Sequence, residues 1–250
     1  MPDAVVLAGS PNNGQLQVCS PAPYEALIPI GTRFMVEYVV DALLASPRIG
    51  KVVVVGPADP LAQVFSSSRV KIVPPGGKLL ENFRRGLAAL PGAGRVLVAA
   101  ADIPLLTREA VEDFLDRCRD KAVDLYYPVV DKRTVQSRYA GVKRTYVRLR
   151  EGVFTGGNIF LVNPEIFSAC VEKGERLVEV RKNPLLLARL LGFAFFLKFL
   201  TGRLSLREVE AKVSGLLGIN GAAVVSSFPE VGIDVDKPVD LQLACQVLQA

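Results

Sequence analysis

Val96-Leu97-Val98-Ala99-Ala100-Ala101-Asp102-Ile103-Pro104-Leu105-Leu106 is an apolar run long enough for a strand buried on both faces. It delivers a single carboxylate, Asp102, at the C-terminal end of that strand. Pro104 stops the strand, and Thr107 can cap the helix that follows. Ligands of open α/β sheets bind just beyond the C-terminal ends of the strands. A lone Asp there, after an Ala-rich strand that leaves room for a ligand, can hold Mg²⁺ on a nucleotide. A capping Asp in an ordinary strand-to-helix turn is the plainer reading of the same residues.

Working outward, Ala4-Val5-Val6-Leu7 is a second apolar strand that runs into Ala8-Gly9-Ser10-Pro11-Asn12-Asn13-Gly14. A Gly- and Asn-rich loop after a first strand can turn backbone N–H groups toward a phosphate or a base. The loop is neither G-x-G-x-x-G nor G-x-x-x-x-G-K-[ST], which argues against a Rossmann dinucleotide site and a P-loop.

Composition narrows the chemistry. Half of the 250 residues are hydrophobic, enough for one large α/β domain with a sizeable core. A net charge of +5 suits a polyanionic small molecule. The basic residues are dispersed, with no Lys/Arg run carrying interleaved aromatics, so nucleic acid is not an expected partner. The chain contains no histidine, which excludes Ser-His-Asp chemistry, His-ligated zinc and a His general base. Cys19, Cys118, Cys170 and Cys245 are scattered and point to a reducing, cytoplasmic setting. No signal peptide is visible at the N-terminus.

Strand patterns at Ala4–Leu7, Lys51–Val55, Val70–Val73 and Arg95–Ala100 alternate with helix patterns near Met35–Ala45, Leu79–Leu90 and Arg108–Asp120. This predicts βαβ units and a mainly parallel sheet. Asp124–Val130 reads as a further strand. Val135–Glu151, rich in Arg, Lys and Tyr, reads as exposed or substrate-facing. Gly152–Val162 reads as a strand holding a turn or bulge at Gly156-Gly157-Asn158. Ala222–Ser226 and Gly232–Val235 read as short strands, and Pro238–Gln249 as a closing helix. Residues from about 174 to 220 read as a helical insertion, in which Ser205-Leu206-Arg207-Glu208 is a capping box.

Four segments, in order and spanning nearly the whole chain, resemble the nucleotidyltransferases of the nucleotide-diphospho-sugar transferase (glycosyltransferase-A-like) fold. They are Val6-Leu7-Ala8-Gly9, the stretch Ala26–Tyr38, Ala101–Leu106 and Ile233–Leu241. Molybdenum cofactor guanylyltransferases and sugar-1-phosphate nucleotidylyltransferases are the relatives whose pattern is nearest. The resemblance implies a three-layer α/β/α, Rossmann-like fold with a mostly parallel, mixed sheet, forming one domain over residues 1–250. It further implies a nucleoside triphosphate and a phosphorylated small-molecule acceptor as substrates. The acceptor phosphate would attack the α-phosphorus and release pyrophosphate, which needs positioning and charge neutralisation more than a protein base.

Carried over residue by residue, Asp102 matches the first carboxylate for Mg²⁺ and Asp236 the second, with Asp234 as its alternate. Leu7, Ala8, Gly9 and Ser10 match the nucleotide loop. Gly76 and Gly77 match a turn against the base, with Lys78 and Arg84 close by. Thr155, Gly156, Gly157 and Asn158 match the acceptor pocket. The chain departs from the pattern at two positions: Ser10 stands for a glycine, and Glu25 for a lysine that touches phosphate. The missing charge would then come from Arg33, Lys78 or Lys143. A non-catalytic nucleotide-binding or regulatory protein that kept the fold is the alternative reading.

Leu185–Leu200, apolar nearly all round, would form a helix about 24 Å long, shorter than the roughly 30 Å hydrocarbon core of a bilayer. Arg189 and Lys198 point to opposite faces. Phe193, Phe195, Phe196 and Phe199 are expected to pack on the helix that starts at Ser205. A membrane-surface contact or an apolar acceptor is the sharper alternative, and a monomer and a homodimer both remain open.

Overall fold

The computed structural model describes residues 1–166 and 192–249. In chain order its strands and α-helices are β1 (Asp3–Leu7), β2 (Pro29–Ile30), β3 (Arg33–Phe34), α1 (Met35–Ala45), β4 (Val52–Val55), α2 (Ala58–Val64), β5 (Val70–Val73), α3 (Leu79–Ala88), β6 (Val96–Ala100), α4 (Arg108–Arg117), β7 (Leu125–Asp131), α5 (Lys132–Arg138), β8 (Val147–Arg148), β9 (Val153–Gly156), β10 (Ile159–Val162), α6 (Phe193–Leu200), α7 (Leu206–Leu217), β11 (Gly221–Ser226) and α8 (Pro238–Leu248).

Nine strands form one mixed sheet in the order β5-β4-β1-β6-β10-β7-β9-β8, with β11 alongside β7. The half built from β5, β4, β1 and β6 is wholly parallel. The other half is mostly antiparallel, with β11 parallel to β7. The sheet is covered on both faces. Ala4, Val6, Val52, Val54, Leu97 and Ala99 face one core with α1 and α4. Val5, Val53, Val55, Val96 and Val98 face the other, with Phe83 of α3. Strand residues alternate between faces, so a continuous valine run such as Val52–Val55 fills both cores at once.

The topology creates the crevice. From β1 the chain winds outward through β4 to β5, then crosses back to lay β6 on the other side of β1. Strand order therefore reverses between β1 and β6. The loops after these two strands splay apart there, which is where open α/β sheets bind ligands.

Several elements depart from the sequence reading. Val135–Glu151 is not a uniformly exposed loop. It contains most of α5, which Asp131 caps by accepting the Arg133 amide at 2.7 Å, and Val135 and Tyr139 are buried. Gly232–Val235 is not a strand: a 3₁₀ turn spans Pro229–Gly232 and the chain then runs extended and outside the sheet. The helices from Leu79 and Arg108 end at Ala88 and Arg117, two and three residues early. Gly152–Val162 does form one extended path along β7, broken between β9 and β10 at Gly157-Asn158.

The largest departure concerns α6. Phe193, Leu200, Leu197 and Phe199 are 77%, 64%, 50% and 37% exposed, and no residue of the helix is fully buried. Only Phe195 reaches the small core of Val129, Leu149, Phe154 and Leu204. An eight-residue helix touching its surroundings along one edge cannot bury four aromatics. It meets α7 through Phe195, which shares that core with Leu206 and Val209, and through Lys198 Nζ to Glu208 Oε1 at 2.6 Å. The capping box at Ser205 forms as read, with Glu208 N donating to Ser205 Oγ. Leu185–Leu191, Arg189 and Cys170 lie outside the described residues. Among the described residues, no helix is long and apolar enough to cross a membrane.

Candidate active site

Asp102 leaves β6 where the sequence places it, at the mouth of the β1/β6 crevice. Its carbonyl accepts the Val235 amide at 2.8 Å. That one backbone bond fixes the register of the distant segment 233–236. Ile233 and Val235 point into the core, and Asp234 and Asp236 alternate with them to the other side. The carboxylates of Asp102, Asp234 and Asp236 thereby come within 4.8 Å of one another.

Capping α8 falls to another acid. Asp240 accepts the Lys237 amide at 3.0 Å and the Asp236 amide at 3.3 Å, so neither Asp234 nor Asp236 is used as the cap. Asp102 Oδ1 is shielded from solvent and has no hydrogen-bond partner. Burial, with Asp234, Asp236 and Glu25 close by, pushes the Asp102 carboxyl up to about 7. Burial and Asp236 likewise raise Asp234, against the pull of Arg144.

Arg144 is the basic group at this cluster. It ion-pairs with the Asp234 carboxylate and donates to the Asp234 carbonyl at 3.3 Å. The sequence reading offered Arg33, Lys78 or Lys143 for the missing charge; Lys78 and Lys143 are exposed. The structure does not bring Arg33 to the carboxylates. Its guanidinium is held on α1 by Asp41 at 2.5 Å and Glu37 at 3.5 Å, over the Tyr38 ring at 4.7 Å.

The loop after β1, expected from the sequence to meet the nucleotide, closes on itself. Asn12, buried, donates its side-chain amide to the Ser20 and Ala22 carbonyls, each at 3.0 Å. The Glu25 amide donates to the Ser10 carbonyl at 3.1 Å. This folds Glu25 back beside the exposed Ser10. A cavity of about 130 Å³ results, bounded by Leu7, Ala8, Ser10, Glu25, Leu79 and Asp102 among others.

Asn82, which the sequence reading passed over, ties this loop to the Gly76-Gly77 turn. Its Oδ1 accepts the Gly76 amide at 2.6 Å. A Cβ on Gly9 would lie 2.6 Å from Asn82 Nδ2, so only glycine allows that approach. The available signal was position: Asn82 lies four residues before Gly86, on the buried stripe of α3. Gly77 and Lys78 are exposed at the start of that helix.

Thr155–Asn158 lies across the crevice from the nucleotide loop. Gly157 donates to the Pro128 carbonyl at 2.8 Å, and Asn158 donates to the Val231 carbonyl at 2.6 Å. The Asn158 carbonyl accepts the Ala100 amide at 2.9 Å, which fixes it two residues from Asp102. Asn158 Nδ2 is buried without a partner. A wider depression of about 480 Å³ around Met1, Asp3 and Arg69 lies at the opposite end of the sheet, away from these groups.

Among the described residues, the donor set at the crevice is all carboxylate oxygen, carries an orphaned buried Oδ1, and is paired with Arg144. It fits a hard, oxygen-seeking divalent cation such as Mg²⁺.

Comparison with known proteins agrees with this architecture. The family described as the MobA-like NTP transferase domain matches residues 24–194. A 2-C-methyl-D-erythritol 4-phosphate cytidylyltransferase from Nocardia farcinica is 35% identical over 121 residues, 45% of this chain and 51% of its own. The match thus spans about half the length of that curated relative. Among solved structures, a hypothetical transferase from Thermus thermophilus is 43% identical with a TM-score of 0.85, over 96% of this chain and 99% of that one. A CMP:2-keto-3-deoxy-manno-octonic acid synthetase solved with CTP shares the fold, with a TM-score of 0.63 at 12% identity, over 99% of this chain and 98% of that one.

Proposed function

The chain belongs to the MobA-like NTP transferase domain family, and from that premise we propose that it transfers a nucleoside monophosphate from an NTP to a phosphorylated small-molecule acceptor, with Mg²⁺ as cofactor and pyrophosphate as leaving group. The observation that carries this reading is the convergence of Asp102, Asp234 and Asp236 at the reversal point of the sheet. These residues would hold the cation. Bound there, Mg²⁺ supplies the positive charge that a triphosphate and its departing pyrophosphate require.

The remaining work is positioning. Leu7, Ala8, Gly9 and Ser10 offer backbone to the phosphates. Gly76 and Gly77, braced by Asn82, form the flat side of the base pocket, with Lys78 at its rim. Thr155, Gly156, Gly157 and Asn158 line the acceptor side. The unpartnered Asn158 Nδ2 is a donor for an acceptor hydroxyl or phosphate. Arg144 orients Asp234 through its paired contacts. An acceptor phosphate is already anionic near neutral pH, so no protein base is needed, in keeping with the absence of histidine.

CTP is the first nucleotide to test, given the names of the relatives. Melting temperatures with each of the four NTPs, with and without Mg²⁺, decide the reading. One NTP should stabilise the wild type only with Mg²⁺, by about 2.7 kcal/mol at 100 times its Kd, and should not stabilise Asp102→Asn. The non-catalytic alternative draws on Glu25, whose carboxylate faces the cavity. Stabilisation by an NTP with no pyrophosphate release toward any phosphorylated acceptor would favour it.

A further inference from the structure

Glu25 is the one charged group in this crevice that the proposed chemistry does not use. Its backbone is fixed beside Ser10, and its side chain shares the cavity of about 130 Å³ with Asp102. No lysine or arginine among the described residues lines that cavity. Among the described residues, no hydrogen-bond donor or cation meets the Glu25 carboxylate. Its electrostatic neighbours are Asp236 and Asp234, both of which repel it. Across the cavity, Asp102 Oδ1 is shielded from solvent and unpartnered. Glu25 and Asp102 therefore line one small space, with Glu25 at the edge of the three carboxylates that lie within 4.8 Å of one another, and Arg144 is already paired with Asp234.

A free triphosphate cannot settle against this wall, because like charges a few ångströms apart repel strongly where water is partly excluded. A hard divalent cation reverses the sign of the contact, since it accepts carboxylate and phosphate oxygens together. We infer that Glu25 belongs to the cation-binding shell of the site, and that this chain takes its triphosphate only as a divalent-metal complex. The inference rests on the proposed function and goes beyond it. Where the family pattern sets a lysine directly on phosphate, the carboxylate makes the cation an obligatory bridge.

The test is calorimetric, on wild type, Glu25→Gln, Glu25→Lys and Asp102→Asn, with circular dichroism melts to verify folding. Mn²⁺ alone is titrated first, then inorganic triphosphate with and without Mg²⁺. Glu25→Gln should bind Mn²⁺ at least tenfold more weakly than wild type while melting cooperatively. Wild type should bind triphosphate with Mg²⁺ and not without it. Glu25→Lys should bind metal-free triphosphate, with an affinity that falls as salt rises. Mn²⁺ binding unchanged in Glu25→Gln but lost in Asp102→Asn overturns the role of Glu25 and leaves the cation site standing. Metal-free triphosphate bound by wild type as tightly as its Mg²⁺ complex also overturns it. A wild type that takes up no Mn²⁺ removes the cation site itself, and the inference with it.

Discussion

A buried acid and a partly exposed cluster of acids in this protein are treated in opposite ways. Glu230, fully buried in the turn at Pro229–Gly232, accepts the Tyr139 hydroxyl at 2.7 Å and pairs with Arg138 at 3.0 Å, both on Oε1. Arg138 matches its charge although Oε2 is left without a partner, and the residue ties α5 to the 3₁₀ turn. At the crevice, ligand oxygens of Asp102, Asp234 and Asp236 lie within 4.8 Å of one another, with Arg144 paired to Asp234 alone and Glu25 close enough to raise Asp102. Burial and mutual repulsion make the second arrangement costly to the folded chain unless a cation joins it. The acid paired with Arg138 serves the fold, and on the proposed function the unmatched cluster is where the cation binds. A protein that spends stability at one place and not at a comparable one marks where its ligand sits.

Substitutions can sharpen that contrast. The largest effect is expected at Asp102→Asn. Turnover should fall on the order of 10²- to 10³-fold, as for the loss of a principal electrostatic contributor, while the metal-free melting temperature holds or rises. Pyrophosphate release assays and thermal melts read the two halves separately. A metal-free protein made markedly less stable by Asp102→Asn would place Asp102 with Glu230 instead. Glu230→Ala should do the reverse. It strands the buried Tyr139 hydroxyl and opens a hole, so stability in a denaturant titration should drop by about 2–3 kcal/mol, with Mn²⁺ affinity kept within a few-fold.

Asn82→Ala should cost less, about 1–2 kcal/mol, by leaving the Gly76 amide unpaired. On the proposed function it should weaken nucleotide binding more than metal binding, because it loosens the contact between the Gly9 loop and the Gly76-Gly77 turn. Equal loss of both in calorimetry would mean that Asn82 supports the whole crevice. Phe193→Ser is the smallest change. With Phe193 77% exposed on α6, stability should move by less than about 0.5 kcal/mol. A loss of several kcal/mol would restore the buried packing expected from the sequence.

What could be read from the sequence divides along physical lines. Local signals carried well. The apolar run from Val96, ending at Asp102 and Pro104, gave β6 and the cluster's first acid, and α1 has the bounds Met35–Ala45 that its periodicity implied. Side-chain direction in irregular backbone did not carry. Arg144 and Lys143 are adjacent, and only the folded path shows which one turns to Asp234. Arg33 was legible as a charge but not as a partner of Glu37 and Asp41, since that pairing depends on the β2–β3 hairpin. α5 was obscured by its polar composition, although Asp131 as a cap was there to be seen. The aromatic run of α6 was legible as apolar, and apolarity alone does not say whether a surface waits to cover it.

The central claim is that the crevice carboxylates form a cation site, held at a cost in the metal-free protein. Its most direct test is the melting temperature of wild type from pH 4 to pH 8, with and without Mg²⁺. The folded-state value of Asp102 lies above its ordinary one, near 7 against 3.8. Between those values the folded chain binds a proton that the unfolded chain has released, so stability should fall as pH rises through this window and level off above it. Mg²⁺ should recover the loss at pH 8 and do little at pH 4, where the proton competes with it, and Asp102→Asn should flatten both dependences. A wild type whose melting temperature at pH 8 is unmoved by Mg²⁺, and which shows no greater decline toward pH 7 than Asp102→Asn, would contradict the account.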